Sequence, residues 1–283
     1  MKRPLEIAHR EMDMATIANL TGVFETLASM KISQVKNQVL EAQQFFAELW
    51  SMYRQIRVDS LFRFGREQDH PEVDKQLYIV ITSEGGFSGD IDQKLITWML
   101  EQYDAEKQDI VVVGHHGAIQ LSQQGVKYQK YFKLPAQDQN INVLPLVKYI
   151  RKYRQSTVFY ETYVSLMVQD IKKIELQKAV QDAGSKVVKG EEIIDESTYI
   201  FEPSNFAVVA HLESSMIEIS LSQAILESKL AQYASRFRSM SSAKEKAVET
   251  RKDLHLEFNR TKRAVADERL KEMINGMKKA RMS

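Results

Sequence analysis

The 283-residue chain has no cysteine, five prolines, eleven glycines and almost no net charge, with 39 basic residues against 38 acidic ones and a formal charge of +1. Each shortage excludes something. Without cysteine there are no disulfides and no thiolate metal sites, which fits a reducing compartment. So small a net charge gives no electrostatic reason to expect nucleic acid or an anionic membrane as a partner. No apolar run approaches the roughly 18 to 20 residues that span a bilayer. The opening MKRPLEIAHREMDM carries acids and lacks an apolar core, so it does not read as a signal peptide. The glycines and prolines fall mostly between Gly65 and Pro203, and none lies between Pro203 and Gly276.

That uneven distribution divides the chain into three expected segments: an N-terminal helix (1–58), an α/β domain (59–206) and a C-terminal helix (207–283). In the first, apolar residues recur at three-four spacing: Ile17, Leu20, Phe24 and Leu27, then Val35, Ala42, Phe46, Leu49, Tyr53 and Ile56. Such a stripe reads as a helix packing on another helix. In the middle, QLYIVITS (76–83) and DIVVVG (109–114) are short β-branched runs ending at glycine, the pattern of buried strands. Between them DIDQKLITWMLEQY (90–103) has helical periodicity, and strand, helix, strand in this order argues a parallel α/β unit with right-handed crossovers. HGAIQLSQQG and VLPLVKYIRKYRQ read as further helices, STVFYETYVSLM and IKKIELQKAV as strands, GSKVVKGEEIIDES as a polar loop, and TYIFEP as the end of the domain.

The last segment carries its own stripe. Leu212, Met216, Ile219, Leu226, Leu230, Tyr233, Phe237, Met240, Ala247, Leu254, Phe258 and Val265 follow alternating steps of four and three, interrupted by Gln223, Lys244, Arg251 and Thr261. This is a coiled-coil seam. A helix from about 208 to 276 would be roughly 100 Å long at 1.5 Å per residue, and only packing stabilises so long a helix. The first segment is its expected partner. The fold class expected is therefore α/β: a long antiparallel coiled coil of N- and C-terminal helices with an inserted Rossmann-like domain. Facing residues should have numbers summing to roughly 264, which puts Leu27 opposite Phe237 and Leu49 near Ser215 and Met216. A rigid rod on a compact base transmits force or spans distance.

LEFNRTKRAVADERLKEMINGM resembles the C-terminal signature of the gamma subunit of F-type ATP synthases, through Phe258-Asn259-Arg260, the pair Lys262-Arg263, and Glu272, Met273, Ile274 and Gly276. AILESKLAQYASRFRSMSSA is similar to the stretch before it, keeping Glu227, Ser228, Ala234, Arg236 and Met240; YIFEPS, TSEGGFSGDID and LTGVFETLASMK resemble three further family segments. The resemblance implies the central rotor shaft of an ATP synthase or ATPase. Its partners would be a ring of alternating alpha- and beta-type nucleotide-binding subunits, an epsilon-type subunit and a membrane c-ring, with no nucleic acid. It implies no cofactor, no metal and no catalytic site of its own, and a peripheral place on the cytoplasmic face of a bacterial-type inner membrane. The chain departs from the family in lacking basic residues around Asn19 to Gly22, in Glu84, Gly85 and Asp90 of the glycine turn, in Arg269, and in the basic end MKKARMS. These mark a divergent member, such as the shaft of a specialised F-type ATPase not devoted to synthesis. The alternatives are a passive coiled-coil scaffold and a nucleotide-using α/β enzyme with helical arms.

Each candidate site carries a plainer reading beside the functional one. GGFSGD is neither a P-loop nor a dinucleotide turn, and Glu84 and Asp90 would repel phosphate, so it reads as a strand-to-helix turn. His115-His116 lacks metal-ligand spacing and reads as a surface or turn pair. Arg260, Lys262 and Arg263 are a solvated face balanced by Glu257, Asp267 and Glu268, or, through the resemblance, a contact with acidic loops of the ring. Arg236 is a surface arginine or a shaft-to-ring contact. Phe258 and Asn259 join the contact candidates, with Met273, Ile274 and Met277 as an apolar tip needing cover from another protein.

Overall fold

The computed structural model describes residues 4–55, 73–136, 138, 141–179, 202 and 204–282. In chain order these form α1 (Pro4–Gln55), β1 (Gln76–Ile81), α2 (Ile91–Leu100), β2 (Gln108–Val113) and α3 (His115–Gln123). Then come β3 (Lys130–Phe132), α4 (Leu144–Ile150), β4 (Ser156–Tyr163), β5 (Gln169–Glu175) and α5 (Asn205–Met282). The residues fall into two compact units. One holds Ala28–Arg236; the other holds the earlier part of α1 with the later part of α5. The polar loop expected over 184–197, most of TYIFEP, Ile56 and the boundary near 58 lie outside the described residues.

In the first unit the strands make one sheet in the order β3-β2-β1-β4-β5. The first four are parallel and β5 runs antiparallel to β4. Several features differ from the sequence expectation. The strand expected over 156–167 stops at Tyr163 and the helix expected over 143–155 stops at Ile150. The strand expected over 171–180 starts earlier, at Gln169, and stops at Glu175, with 176–179 helical. The three-residue β3 was not anticipated, because so short a run has no periodicity to read. Side chains alternate across β1 as the pleat requires. Leu77, Ile79 and Ile81 join a core with Leu146, Val147 and Ile150 of α4 and Leu221, Ala224 and Ile225 of α5. Tyr78 and Val80 face Leu95, Ile96 and Met99 of α2 and Leu121 of α3. Residues from 224 to 235 of α5 are buried on more than one face, including Ser228, Lys229, Gln232 and Ser235. In the same unit Met216 of α5 packs against Phe46, Leu49 and Trp50 of α1, the neighbourhood expected for Leu49.

In the second unit α1 and α5 run antiparallel: Glu25 meets Lys244 at 2.8 Å, and Glu11 meets His255 at 3.2 Å. Gly22 lies against the Lys244 side chain, where a Cβ would be 3.6 Å from Cε.

The expected stripe of α1 holds over Val35, Ala42, Phe46 and Leu49, which are buried or half-buried, but not over its first half. Ile17, Leu20, Phe24 and Leu27 are 39 to 55% exposed, whereas Ile7, Thr21, Ala28, Ile32, Val35 and Val39 are buried. With half-buried Met14, Ala18 and Glu25 between them, the buried positions step by threes and fours, which is the coiled-coil period. Between Met14 and Ala28 the seam carries small and polar residues, so a search for large apolar ones settles there on the neighbouring face.

Candidate functional site

In this sheet β2 is added on one side of β1 and β4 on the other. The chain therefore leaves the carboxyl ends of β1 and β4 in opposite directions, and the crevice between those ends is where open α/β sheets receive ligands. Here the chain fills it with its own side chains. Asp92, in the first turn of α2, is fully buried. It accepts from the Ser83 backbone N–H at 2.8 Å, Ser83 Oγ at 2.6 Å and Ser88 Oγ at 2.8 Å, and it meets His116 Nδ1 at 2.8 Å. Burial pushes its carboxyl up, but His116 and the Ser83 donors outweigh that and pull it down to about 2. The same contact with Asp92 raises His116 above its ordinary value.

Glu161 of β4 is also fully buried, within hydrogen-bonding reach of Asp92. Ser228 of α5 donates to its Oε2 at 3.2 Å, and Gln232 donates to Ser228 Oγ at 3.0 Å. Burial, with the charge of Asp92 added, pushes the Glu161 carboxyl well above its ordinary value.

The glycine turn is tied to α5 as well. Ser235 donates to the Ser88 carbonyl at 2.6 Å, and Arg236 donates to the carbonyls of Gly86 at 3.1 Å and Gly85 at 3.3 Å. Glu84 faces the other way, accepting from the backbone N–H groups of His115 and Leu134 and from Tyr131 Oη. Gly89 sits at φ +70° and Phe87 at φ +68°, so the turn needs its glycine and holds an aromatic residue in a left-handed conformation.

A third tie crosses three elements. Asp138 Oδ1 accepts from Lys229 Nζ of α5 at 2.6 Å, and Oδ2 accepts from Lys31 Nζ of α1 at 3.0 Å. Lys229 also donates to the Pro135 carbonyl at 2.7 Å. Burial pushes Asp138 up, but the two lysines pull it below its ordinary value; the bond to Asp138 raises Lys31.

These ties make a joint. A helix emerging from a globular domain must be held by directional, buried contacts if twist on one is to reach the other, because apolar packing alone is non-directional. Sequence reading singled out Arg236 as a surface arginine or shaft-to-ring contact and His116 as a surface or turn residue, where the structure ties Arg236 to the glycine turn and His116 to Asp92; it missed Asp92, Glu161, Asp138 and Lys229. One signal was available: Ser228, Lys229, Gln232 and Ser235 are polar residues inside an otherwise apolar helical run, and buried polar groups demand partners. The partners themselves come from distant strands and turns, where a lone acid has no periodic signature.

The remaining candidates lie on the later part of α5, in the second unit. Phe258 and Asn259 are half-buried; Arg260, Lys262 and Arg263 are exposed. Lys262 Nζ sits 6.0 Å from the Phe258 ring centroid. Met273, Ile274 and Met277 are 59, 40 and 62% exposed. Among the described residues no group of three His, Asp or Glu is arranged to hold a metal, and no helix is long and apolar enough to cross a membrane.

The sequence profile of the ATP synthase family matches residues 5–279. The chain is 24% identical to the ATP synthase gamma chain of Chlorobium phaeobacteroides over 96% of both chains. It is 22% identical to that of Cytophaga hutchinsonii, again over 96% of both. Its fold is similar to a chain of the Euglena gracilis mitochondrial ATP synthase solved as OSCP, F1 and c-ring, with a TM-score of 0.56 at 15% identity over 90% of this chain and 94% of that one. It is likewise similar to a chain of the Tetrahymena thermophila ATP synthase central stalk and c-ring, with a TM-score of 0.56 at 16% identity over 79% of this chain and 99% of that one. Matched over residues 5–279 by the family profile and over nearly all of its length by gamma chains, the chain belongs to the gamma-subunit family of ATP synthases.

Proposed function

We propose that this chain is the central shaft of a rotary F-type ATP synthase or ATPase, transmitting torque between a membrane c-ring and a ring of alternating alpha- and beta-type nucleotide-binding subunits. One observation carries the reading. A single helix, α5, is clasped by the sheet over residues 228–236 and continues unbroken to Met282. Twist applied to the α/β domain then has a route of buried hydrogen bonds into the helix that leaves it. The gamma chains it resembles, and the fold it shares with a chain of the Tetrahymena central stalk, support the same reading.

The chain contributes no catalytic group in this reading. Chemistry belongs to the ring, and the shaft biases which conformation each ring subunit populates. The crevice where a nucleotide would enter such a sheet is occupied by the chain's own Asp92, Glu161 and Ser228. Arg236 serves the joint, holding two turn carbonyls; Phe258, Asn259, Arg260, Lys262, Arg263, Met273, Ile274 and Met277 are the contact candidates toward the ring. The α/β domain faces an epsilon-type subunit and the c-ring at the cytoplasmic face of the membrane.

The test is affinity purification of the full chain from its native membranes with identification of what comes with it. Nucleotide-binding ring subunits and a c-ring are expected. Recovery of a symmetric homodimer alone would sink the proposal. In the purified complex, replacing Lys262 and Arg263 together by alanine should weaken coupling of ATP turnover to ion movement without unfolding the chain, because exposed charges contribute only about 0 to 1 kcal/mol of stability each. Unchanged coupling would remove the charge pair from the contact set.

A further inference from the structure

The crevice at the carboxyl ends of β1 and β4 holds two buried carboxyl groups in contact, Asp92 and Glu161. Two carboxyls this close and this buried cannot both be ionised, since each charge disfavours the other and neither has bulk water to screen it. The donors decide which one keeps the charge. Asp92 receives two bonds from Ser83, one from Ser88 and the contact with His116. Glu161 receives one, from Ser228, and its Oε1 is buried with no donor directed at it among the described residues. An oxygen in that position is accounted for when it carries a proton, with the Asp92 carboxylate as acceptor.

The charges around the pair are few. His116 faces Asp92 from α3, and Arg236 acts on both Asp92 and His116 from α5. The other polar groups that meet the pair, Ser83 and Ser88 from the turn and Ser228 and Gln232 from α5, are neutral. Ionising Glu161 would put a second negative charge beside Asp92 with only the neutral donors Ser228 and Gln232 on the α5 side and none at Oε1, directly beneath the helix that touches it.

We propose that a proton held between Glu161 and Asp92 seats α5 on the sheet, so that the joint over residues 228–236 is a pH-sensitive clasp that loosens as the medium becomes alkaline. The sign follows from the two states. Glu161 binds its proton more tightly with the clasp closed than with it open, so its contribution is complete below the ordinary glutamate range and declines as pH rises toward its closed-state value. His116 acts in the same direction, its contribution declining above the ordinary histidine range. Asp92 acts oppositely, contributing above the ordinary aspartate range and losing that only as pH falls toward about 2. The clasp is therefore tightest under mildly acidic conditions. The inference rests on the geometry of the joint and not on the shaft reading.

The experiment is amide hydrogen exchange of the full chain, read by mass spectrometry from about pH 5 to about pH 9 and corrected for intrinsic exchange. While opening releases one proton, protection of peptides covering 228–236 should fall about tenfold per pH unit, and peptides covering 245–265 should show no such fall. Glu161→Gln keeps the shape and cannot ionise, so its protection over 228–236 should lose the decline below the ordinary histidine range and keep only the part due to His116 above it. His116→Gln keeps a donor for Asp92 without titrating, and should retain the part of the decline due to Glu161. If Glu161→Gln does not fold, Asp92→Asn serves instead: it removes the charge that opposes ionisation of Glu161, and should move the decline to lower pH. Infrared spectra near neutral pH provide a direct readout, a protonated-carboxyl stretch present in wild type and absent in Glu161→Gln. A wild-type profile without the decline, a decline that survives Glu161→Gln but vanishes in His116→Gln, or a missing carboxyl stretch would each overturn the proposal.

Discussion

Ser235 Oγ donates to the backbone carbonyl of Ser88 at 2.6 Å, joining two fully buried residues that lie 147 positions apart in sequence. Seven residues earlier on α5, Ser228 reaches Glu161. Seven residues are two helical turns, so both hydroxyls project from one face. Ser235→Ala leaves a buried carbonyl without its donor and should cost about 1 to 3 kcal/mol in urea unfolding. Ser220 is the contrast. It is also buried on α5, but its hydroxyl has no partner among the described residues. Ser220→Ala should be neutral or stabilising, since it removes an unsatisfied group. Equal effects for the two substitutions would mean that the Ser235 bond contributes nothing.

Asp138 joins two lysines of very different burial: the Lys229 side chain is 4% exposed, and that of Lys31 is 44%. Removing one partner of a buried pair leaves an uncompensated charge, so Asp138→Asn should cost about 3 to 5 kcal/mol. Lys31→Ala should cost at most about 1 kcal/mol, because water screens the exposed partner. The lysines hold Asp138 below its ordinary value, so its contribution is full above that value and is lost as pH falls through the folded one. Acid unfolding followed by circular dichroism should therefore begin at higher pH in Lys229→Met than in wild type. An unchanged acid limb would count against the tie.

Backbone demands separate the glycines. Gly114 has φ +102°, and a Cβ there would lie 2.1 Å from the Thr82 carbonyl oxygen; Gly125 has φ +71° with nothing within 4 Å. Gly114→Ala combines strain with overlap and should cost about 3 kcal/mol or more. Gly125→Ala carries strain alone, about 1 to 2 kcal/mol. Thermal unfolding of the two variants side by side tests the ranking, and a Gly125 variant as damaged as the Gly114 one would contradict it.

The elements with a strict period were legible before the structure. β1 and β2 are β-branched runs ending at turns, and α5 has a seam that can be counted. The seam of α1 was legible over Val35, Ala42, Phe46 and Leu49 but not before them, because Ile17, Leu20, Phe24 and Leu27 form a second stripe beside the buried Thr21 and Ala28. The joint was legible only from its α5 side. Ser228, Lys229, Gln232 and Ser235 announce a need for partners, but Asp92, Glu161 and Asp138 reach them through tertiary folding that no local pattern encodes.

Leu270, Met273, Ile274 and Met277 lie three, four and seven residues apart, the spacing of one helical face, and each is between 40 and 62% exposed. Residues 266 to 278 of α5 are exposed throughout, so this stripe gains nothing from the chain's own packing. Apolar surface of this kind is a liability unless a partner covers it. The double substitution Ile274→Ser with Met277→Ser should then leave the isolated chain unaltered, within about 0.5 kcal/mol by urea unfolding, as expected for a surface change. In the assembled complex the same change should lower ATP turnover coupled to ion movement and speed dissociation of the shaft from the ring, because the hydroxyls would enter an apolar contact unpaired. An isolated chain that loses several kcal/mol would place the stripe inside the chain's own fold. A complex with normal coupling and normal shaft retention would leave these side chains without a partner in the ring.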